Sequence, residues 1–154
     1  MIDVAVRTRQ YCTFRLAQHL CGIDVLQVHE ILRHQPMTRV PLAPPVVRGL
    51  INLRGQIITA LDMRTRLGFP ARDDGRQPVN IVVGVGEGSE AMTAALLVDE
   101  IGDVIDIDPA NCETPPDTIR GEVRELIQSV CKLDKGLMLI LDVQRALQLE
   151  ITSS

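Results

Sequence analysis

Aromatic residues are scarce in this chain: 2% of the sequence, with no Trp, one Tyr and two Phe. A protein that holds single-stranded nucleic acid by stacking bases needs more platforms than Tyr11, Phe14 and Phe69 provide. The formal net charge of -4 further opposes binding along a phosphate backbone. Lysine is nearly missing, present only at 132 and 135. Basic charge is therefore almost wholly Arg, whose planar guanidinium favours bidentate, partly buried pairing and suits partner anchoring. No apolar run approaches the ~18 residues of a membrane-spanning helix. The start, MIDVAVRTR, has an early Asp and no long apolar core, unlike a signal peptide. No CxxC occurs among Cys12, Cys21, Cys112 and Cys131. Widely spaced and without a secretory context, all four read as small buried apolar thiols in a reducing compartment. The expectation is a cytoplasmic protein with no nucleic-acid partner and no direct membrane insertion.

Catalytic and cofactor signatures are lacking as well. His29 and His34 sit five apart, roughly 140° around a helix at 3.6 residues per turn. Zinc co-ligation from one helix needs four, as in HExxH. No second Cys/His cluster exists, so no metal is expected. The Gly84–Gly88 stretch, in NIVVGVGEGSEAM, invites a nucleotide-binding βα reading. The fingerprint GxGxxG places its third position on Ser89 or Ala91, and no P-loop Lys follows. A Gly-rich hairpin turn is favoured, with a nucleotide-binding enzyme domain kept as the alternative. Asp99, Glu100, Asp103, Asp106 and Asp108 lack the spacing of a calcium loop and alternate with apolar residues, as on a solvated strand. There is no GxSxG. No catalytic residue and no cofactor is assigned.

What is present is short β-like runs. With 154 residues and 45% apolar content, one domain or two small subdomains sharing a core can form. Tyr11–Leu16, Val79–Val85, Ala94–Val98, Val104–Ile107, Glu122–Leu133 and Leu137–Leu141 are rich in β-branched or alternating apolar residues. Turn signals separate them at 41–45, Asp73-Asp74-Gly75, 86–88, 114–117 and 134–136. Residues 23–31 suit a helical turn or a bent strand, with Asp24 as a cap. The polar stretch from Phe69 to Gln77 reads as an exposed loop, placing a subdomain boundary near 69–78. Residues 1–9 and 151–154 read as flexible ends.

A weak internal repeat organises these runs. Gly55 opens a strand ending LDMRTRL (61–67); Gly136 opens one ending LDVQRAL (141–147), one residue shorter. Asp62 and Asp142 are expected to N-cap short helices. Pairs 63/67 and 143/147 fall on one helical face. Two similar β subdomains are the preferred architecture. The first unit carries Arg54 at the tip of an apolar hairpin, next to Gly55, which can take positive φ. A charge there suggests recognition, and Glu30 is a candidate partner for it. The plainer alternatives are a solvated Glu30 and a core Val28.

The segment RGLINLRGQIITALDMRTRLG (48–68) resembles the NLRG hairpin of the chemotaxis coupling proteins, the CheW-like family. GIDVLQVHEI (22–31), LLVDEIGDVIDI (96–107) and GLMLILDVQRAL (136–147) resemble three further family segments, in order and at sensible spacings. The resemblance covers about Tyr11 to Leu149. Cys21, Thr59 and Met63 depart mildly from the usual pattern. The resemblance implies a mainly β fold of two small SH3-like five-stranded barrels with short helices, within one domain over 10–150. It implies a non-catalytic adaptor between chemoreceptors and a histidine kinase, recruited to membrane-associated receptor arrays. A related array serving a non-chemotactic pathway is the alternative output. The implied partners are the kinase regulatory domain, which shares this fold, and the receptor's cytoplasmic helical hairpin. Carried over by position, the receptor groove includes Val28, Glu30, Ile31, Val79 and Val104. Arg54 lies at or near the functional surface, with Gly49 and Gly55 shaping the strands.

Overall fold

A computed structural model describes residues 8–72 and 75–148. Asp73-Asp74 and the terminal stretches 1–7 and 149–154 lie outside the described residues. Arg9, expected in a flexible end, is already paired with Ile107 in a sheet.

The chain opens with the hairpin β1 (Arg9–Leu16) and β2 (His19–Asp24). It then builds β3 (Val28–Leu32), β4 (Val47–Leu53), β5 (Gln56–Asp62), α1 (Met63–Arg66), β6 (Val79–Val85) and β7 (Met92–Val98). It finishes with β8 (Glu100–Ile107), β9 (Cys112–Glu113), α2 (Glu122–Leu126), β10 (Ile127–Leu133), β11 (Gly136–Leu141) and α3 (Val143–Leu147). Two sheets result, ordered β3-β6-β7-β5-β4 and β8-β1-β2-β11-β10-β9. The second has six strands rather than five because the two-residue β9 adds to its edge.

Several expectations shift. The 69–78 segment, where a boundary is expected, joins α1 to β6 within one unit. The chain passes between sheets after Asp24 and after Val98 instead, so one subdomain is nested inside the other. Glu122–Leu133 is not one strand: its first five residues form α2. His19–Asp24, unmarked by periodicity, is a strand whose Gly22 faces Thr13 and Ile140 across the two neighbouring strands. Cys112 and Cys131 are not thiols but a disulfide across β9 and β10. Sequence separation hid their proximity; antiparallel register brings it about.

The repeat is more regular than the sequence suggests. Val47 pairs with Leu61, Gly49 with Ala60 and Leu53 with Gln56. Ile127 pairs with Leu141, Ser129 with Ile140 and Leu133 with Gly136. Every number rises by eighty, including the register shift after Val47 and after Ile127. The Asp62 amide donates to Val46 O, and the Asp142 amide to Leu126 O. Gly136 therefore matches Gln56, and the hairpin tips Arg54-Gly55 and Asp134-Lys135 correspond. Strand β5 has seven residues and β11 six, in line with the expected one-residue difference, but the hairpin registers match residue for residue.

Local chemistry explains the helices. The Asp62 carboxylate accepts from the Arg64 and Thr65 amides, and that of Asp142 from the Arg145 amide. Each cap satisfies donors that a short helix leaves open. Asp24 accepts from the Leu26 amide and caps a single 3-10 turn, Val25–Gln27, before β3.

The core explains the continuous apolar runs. Phe14, Leu16 and Ile23 from one sheet pack with Leu61, Ile81, Val83 and Leu96 from the other, and with Met63 and Val143. The alternate residues Val82, Ala95 and Leu97 face a second cluster with Ile51 and Ile58. Strands β6 and β7 thus bury both faces, one in their own unit and one between units. Tyr11, Ile107, Cys131, Met138 and Ile140 form the matching cluster of the other unit.

A partly buried ion network ties β1–β2 to α1. Asp99 accepts from the Ala17 amide at 2.8 Å and from Arg64 Nη2 and Arg72 Nη2 at 2.5 Å each. Arg66 donates to the Arg145, Ala146 and Gln148 carbonyls at the end of α3, so one repeat's helix caps the other's.

Candidate interaction surface

The β4–β5 tip forms a two-residue loop with positive φ at both positions, 51° at Arg54 and 86° at Gly55. This is the primed turn whose twist matches the flanking strands. The Gly55 amide donates to Asn52 Oδ1 at 3.0 Å. Arg54 Nη1 and Nη2 donate to Glu30 Oε2 and Oε1 at 2.6 and 2.5 Å. The pair is bidentate, with Arg54 72% and Glu30 22% exposed at the side chain. This Arg54 hydrogen bond holds the Glu30 carboxyl below the usual glutamate range.

Glu30 lies on β3 and Arg54 beside β4, the two edges of one sheet. The backbone joins the same edges again: Thr38 and Leu50 exchange hydrogen bonds at 2.9 and 2.8 Å. Gly49 permits that approach, since a Cβ there would fall 2.8 Å from Thr38 O. Gly49 is buried and belongs to this closure, whereas Gly55 sits at the open tip.

The second unit places Val104 where the first places Ile31. Parallel pairing puts Ala94 beside Thr59 and Cys21 beside Leu139. One strand further, Val83 and Phe14 correspond, and so do Ile81 and Cys12. Their outer partners are Ile31 and Val104. Both lie on edges next to a register shift, and both are exposed, at 44% and 53%. Val28 and Val79 are half-buried and pack on the central core. They support the surface more than they form it.

Exposed apolar residues not singled out by sequence complete the surface: Leu26 at 87%, Ile57 at 69% and Leu137 at 60%. Ile57 and Leu137 are repeat mates opposite Asn52 and Lys132. Period-two alternation against buried Ile58 and Met138 is the signal that could have found them. Leu42 is also exposed, in the loop before β4 with φ of 63°.

The Gly84–Gly88 stretch does not open a helix. It ends β6 and turns through a 3-10 segment, Gly88–Glu90, into the antiparallel β7. The βα geometry required for dinucleotide phosphates is absent there, which removes the nucleotide reading. His29 lies on β3 and His34 beyond it, both exposed, and no group of His, Cys, Asp and Glu able to hold a metal occurs among the described residues. Within the acidic run, Asp99 is held by arginines and Asp108 caps a turn through the Ala110 amide. Burial pushes the Cys21 thiol up to about 12, with the Asp99 charge adding to it, and burial also raises Cys12. Neither is an activated nucleophile. No described helix is long and apolar enough to cross a membrane.

Fold and surface together define a two-unit β module in which each sheet exposes an apolar edge residue, one of them beside a bidentate ion pair. The CheW-like domain family profile matches residues 10–150. The chain is 29% identical over 148 residues to the chemotaxis protein CheW of Treponema pallidum (strain Nichols), covering 94% of this chain and 86% of that protein. It is 30% identical over 133 residues to that of Bacillus subtilis (strain 168), covering 86% and 83%. The crystal structure of the scaffolding protein TtCheW from Thermoanaerobacter tengcongensis superposes with a TM-score of 0.82 at 28% identity, over 94% of this chain and 95% of that one. The chain belongs to the CheW-like family.

Proposed function

We propose that this chain is a non-catalytic adaptor coupling chemoreceptors to a histidine kinase in a chemotaxis signalling array. Its relatives are named as chemotaxis proteins and, in one solved structure, as a scaffolding protein. One partner is the kinase regulatory domain, which by family resemblance shares this β architecture. The other is the receptor's cytoplasmic helical hairpin. The adaptor is recruited from the cytoplasm to the receptor array by these contacts.

The carrying observation is the placement of Ile31 and Val104. They are equivalent exposed apolar residues on the two sheets, and Ile31 adjoins a Glu30 held by Arg54. An amphipathic helix buries its apolar stripe on such residues, as in helix-in-groove recognition. Val28 and Val79 back the contact from the core side. Glu30 and Arg54 set register and steer encounter through charge. A scaffold of this kind transmits a signal by binding one kinase state more tightly than the other.

The test is co-sedimentation with receptor-containing membranes. Ile31→Asp and Val104→Asp each weaken receptor binding at least tenfold while circular dichroism and kinase binding stay as in wild type. Undiminished receptor binding by both variants would remove the groove from this surface.

A further inference from the structure

We propose that Cys112–Cys131 is a reversible redox latch that closes the second β unit. In both units, the chain leaving an edge strand crosses to the opposite edge and pairs there. In the first, Thr38 pairs with Leu50. In the second, Glu113 pairs with Val130, eighty residues on from Leu50. The residue before Thr38 and that before Glu113 also correspond, as do those after Leu50 and Val130. Met37 packs on the cluster holding Ile51, and Cys112 packs on the matching cluster holding Cys131, to which it is also bonded. One seam is closed by apolar packing alone, its repeat mate by apolar packing with a covalent bond across it.

Beside the bond and the packing of Cys112, the second seam is short. Strand β9 has two residues and two register pairs. Its flanking ion pair, Lys132–Glu113, is 67% exposed at both side chains, where such pairs contribute little. The next anchor along the chain is Arg124, which donates to the Pro116 and Ile119 carbonyls. Reduction thus leaves the segment between the capped turn at Asp108 and Pro116 held by two register pairs and the packing of Cys112, so that it opens more readily from the β10 edge.

Access is one-sided. Cys112 is partly exposed and Cys131 fully buried. Oxidation begins at Cys112, whose thiolate attacks a low-molecular-weight disulfide, forming a mixed disulfide and releasing one thiol. The Cys131 thiolate then attacks the Cys112 sulfur, closing the bond and releasing the second thiol. Two protein thiols are oxidised and one external disulfide is reduced to two thiols. An external thiol reverses the sequence by attacking Cys112. Cys12 and Cys21 are buried and take no part.

The test equilibrates the full chain in glutathione buffers from fully reduced to fully oxidised. Alkylation with mass spectrometry reads the thiols, and amide hydrogen exchange reads peptides over 108–116 and 127–133. Cys112 and Cys131 convert together, and exchange in those peptides is at least tenfold faster in the reduced protein while the rest is unchanged. Cys112→Ser exchanges like reduced wild type at every glutathione ratio. The proposal is overturned if the pair stays reduced in fully oxidised glutathione. It is equally overturned if exchange is the same in both states, if reduction unfolds the whole chain, or if Cys112→Ser still responds to the buffer.

Discussion

Arg54 and Glu30 bridge opposite edges of one sheet by two parallel N–H···O bonds, and their repeat mates cannot do the same. The tip residue matching Arg54 is Asp134, and the β8 residue next to Val104, matching Glu30, is Asp103. Two carboxylates occupy the places of an acid and a base. Hairpin closure therefore does not depend on the pair. Arg54 also adopts the left-handed region, which suits Asn or Gly better than Arg. A residue kept in an unfavourable backbone for an exposed contact points to recognition.

Arg54→Asn should consequently separate folding from binding. The melting temperature stays level or rises, because Asn tolerates the turn. Receptor affinity falls about tenfold, a loss of about 1.4 kcal/mol in binding, and its salt dependence flattens. Isothermal titration at two ionic strengths, paired with a thermal melt, reads both effects. A lower melting temperature with unchanged affinity would assign Arg54 to the fold instead.

The Asp99 network predicts acid sensitivity. Burial pushes this carboxyl up, but hydrogen bonds from Arg64 and the Ala17 amide, with the charges of Arg72 and Arg64, outweigh it and hold it below the usual aspartate range. A depressed folded-state pKa contributes stability that is present above the unfolded value of about 3.9 and lost as pH falls through the folded value. Wild type should lose this contribution progressively below about pH 4. Asp99→Asn removes the carboxylate that Arg64 and Arg72 share in a partly buried site and costs about 1.5–3 kcal/mol at pH 7. Its stability then falls less steeply in acid. Denaturant melts of both proteins at pH 7 and pH 3.5 measure the difference, and parallel curves would exclude Asp99 as the titrating group.

Sequence spacing made the repeated units, the two capping aspartates and most strands legible, because each rests on local chemistry. Asp62 and Asp142 announce themselves by the shared Leu-Asp spacing before each short helix, and β-branched runs mark β6 and β8. The nested topology was not legible. The 69–77 loop is polar and long, yet both its ends belong to one sheet, and the true crossings at Asp24 and Val98 are too short to mark composition. The Cys112–Cys131 bond escaped for a related reason, since β9 has only two residues and no periodicity. Of the surface residues, Ile31 and Val104 are exposed edge positions. Val28 and Val79 are half core, a distinction that apolar character alone does not carry.

The closure of the first unit gives a final prediction, at Gly49. A Cβ at this position would meet Thr38 O at 2.8 Å and Met37 Cβ at 3.1 Å. Backbone is the obstacle, so relief requires moving the Thr38–Leu50 bridge rather than rotating a side chain. Gly49→Ala should cost about 1–3 kcal/mol. At this chain length that lowers the melting temperature by roughly 2–12 °C. Its repeat mate carries a side chain already: Ser129 stands opposite Ile140, and Ser129→Ala should change stability by less than about 0.5 kcal/mol. Hydrogen exchange at Thr38 and Leu50, whose amides make the bridge, should quicken in Gly49→Ala ahead of the rest of the sheet. Equal melting temperatures for the two variants would show that the first seam tolerates a Cβ and that Gly49 is not what brings these edges together.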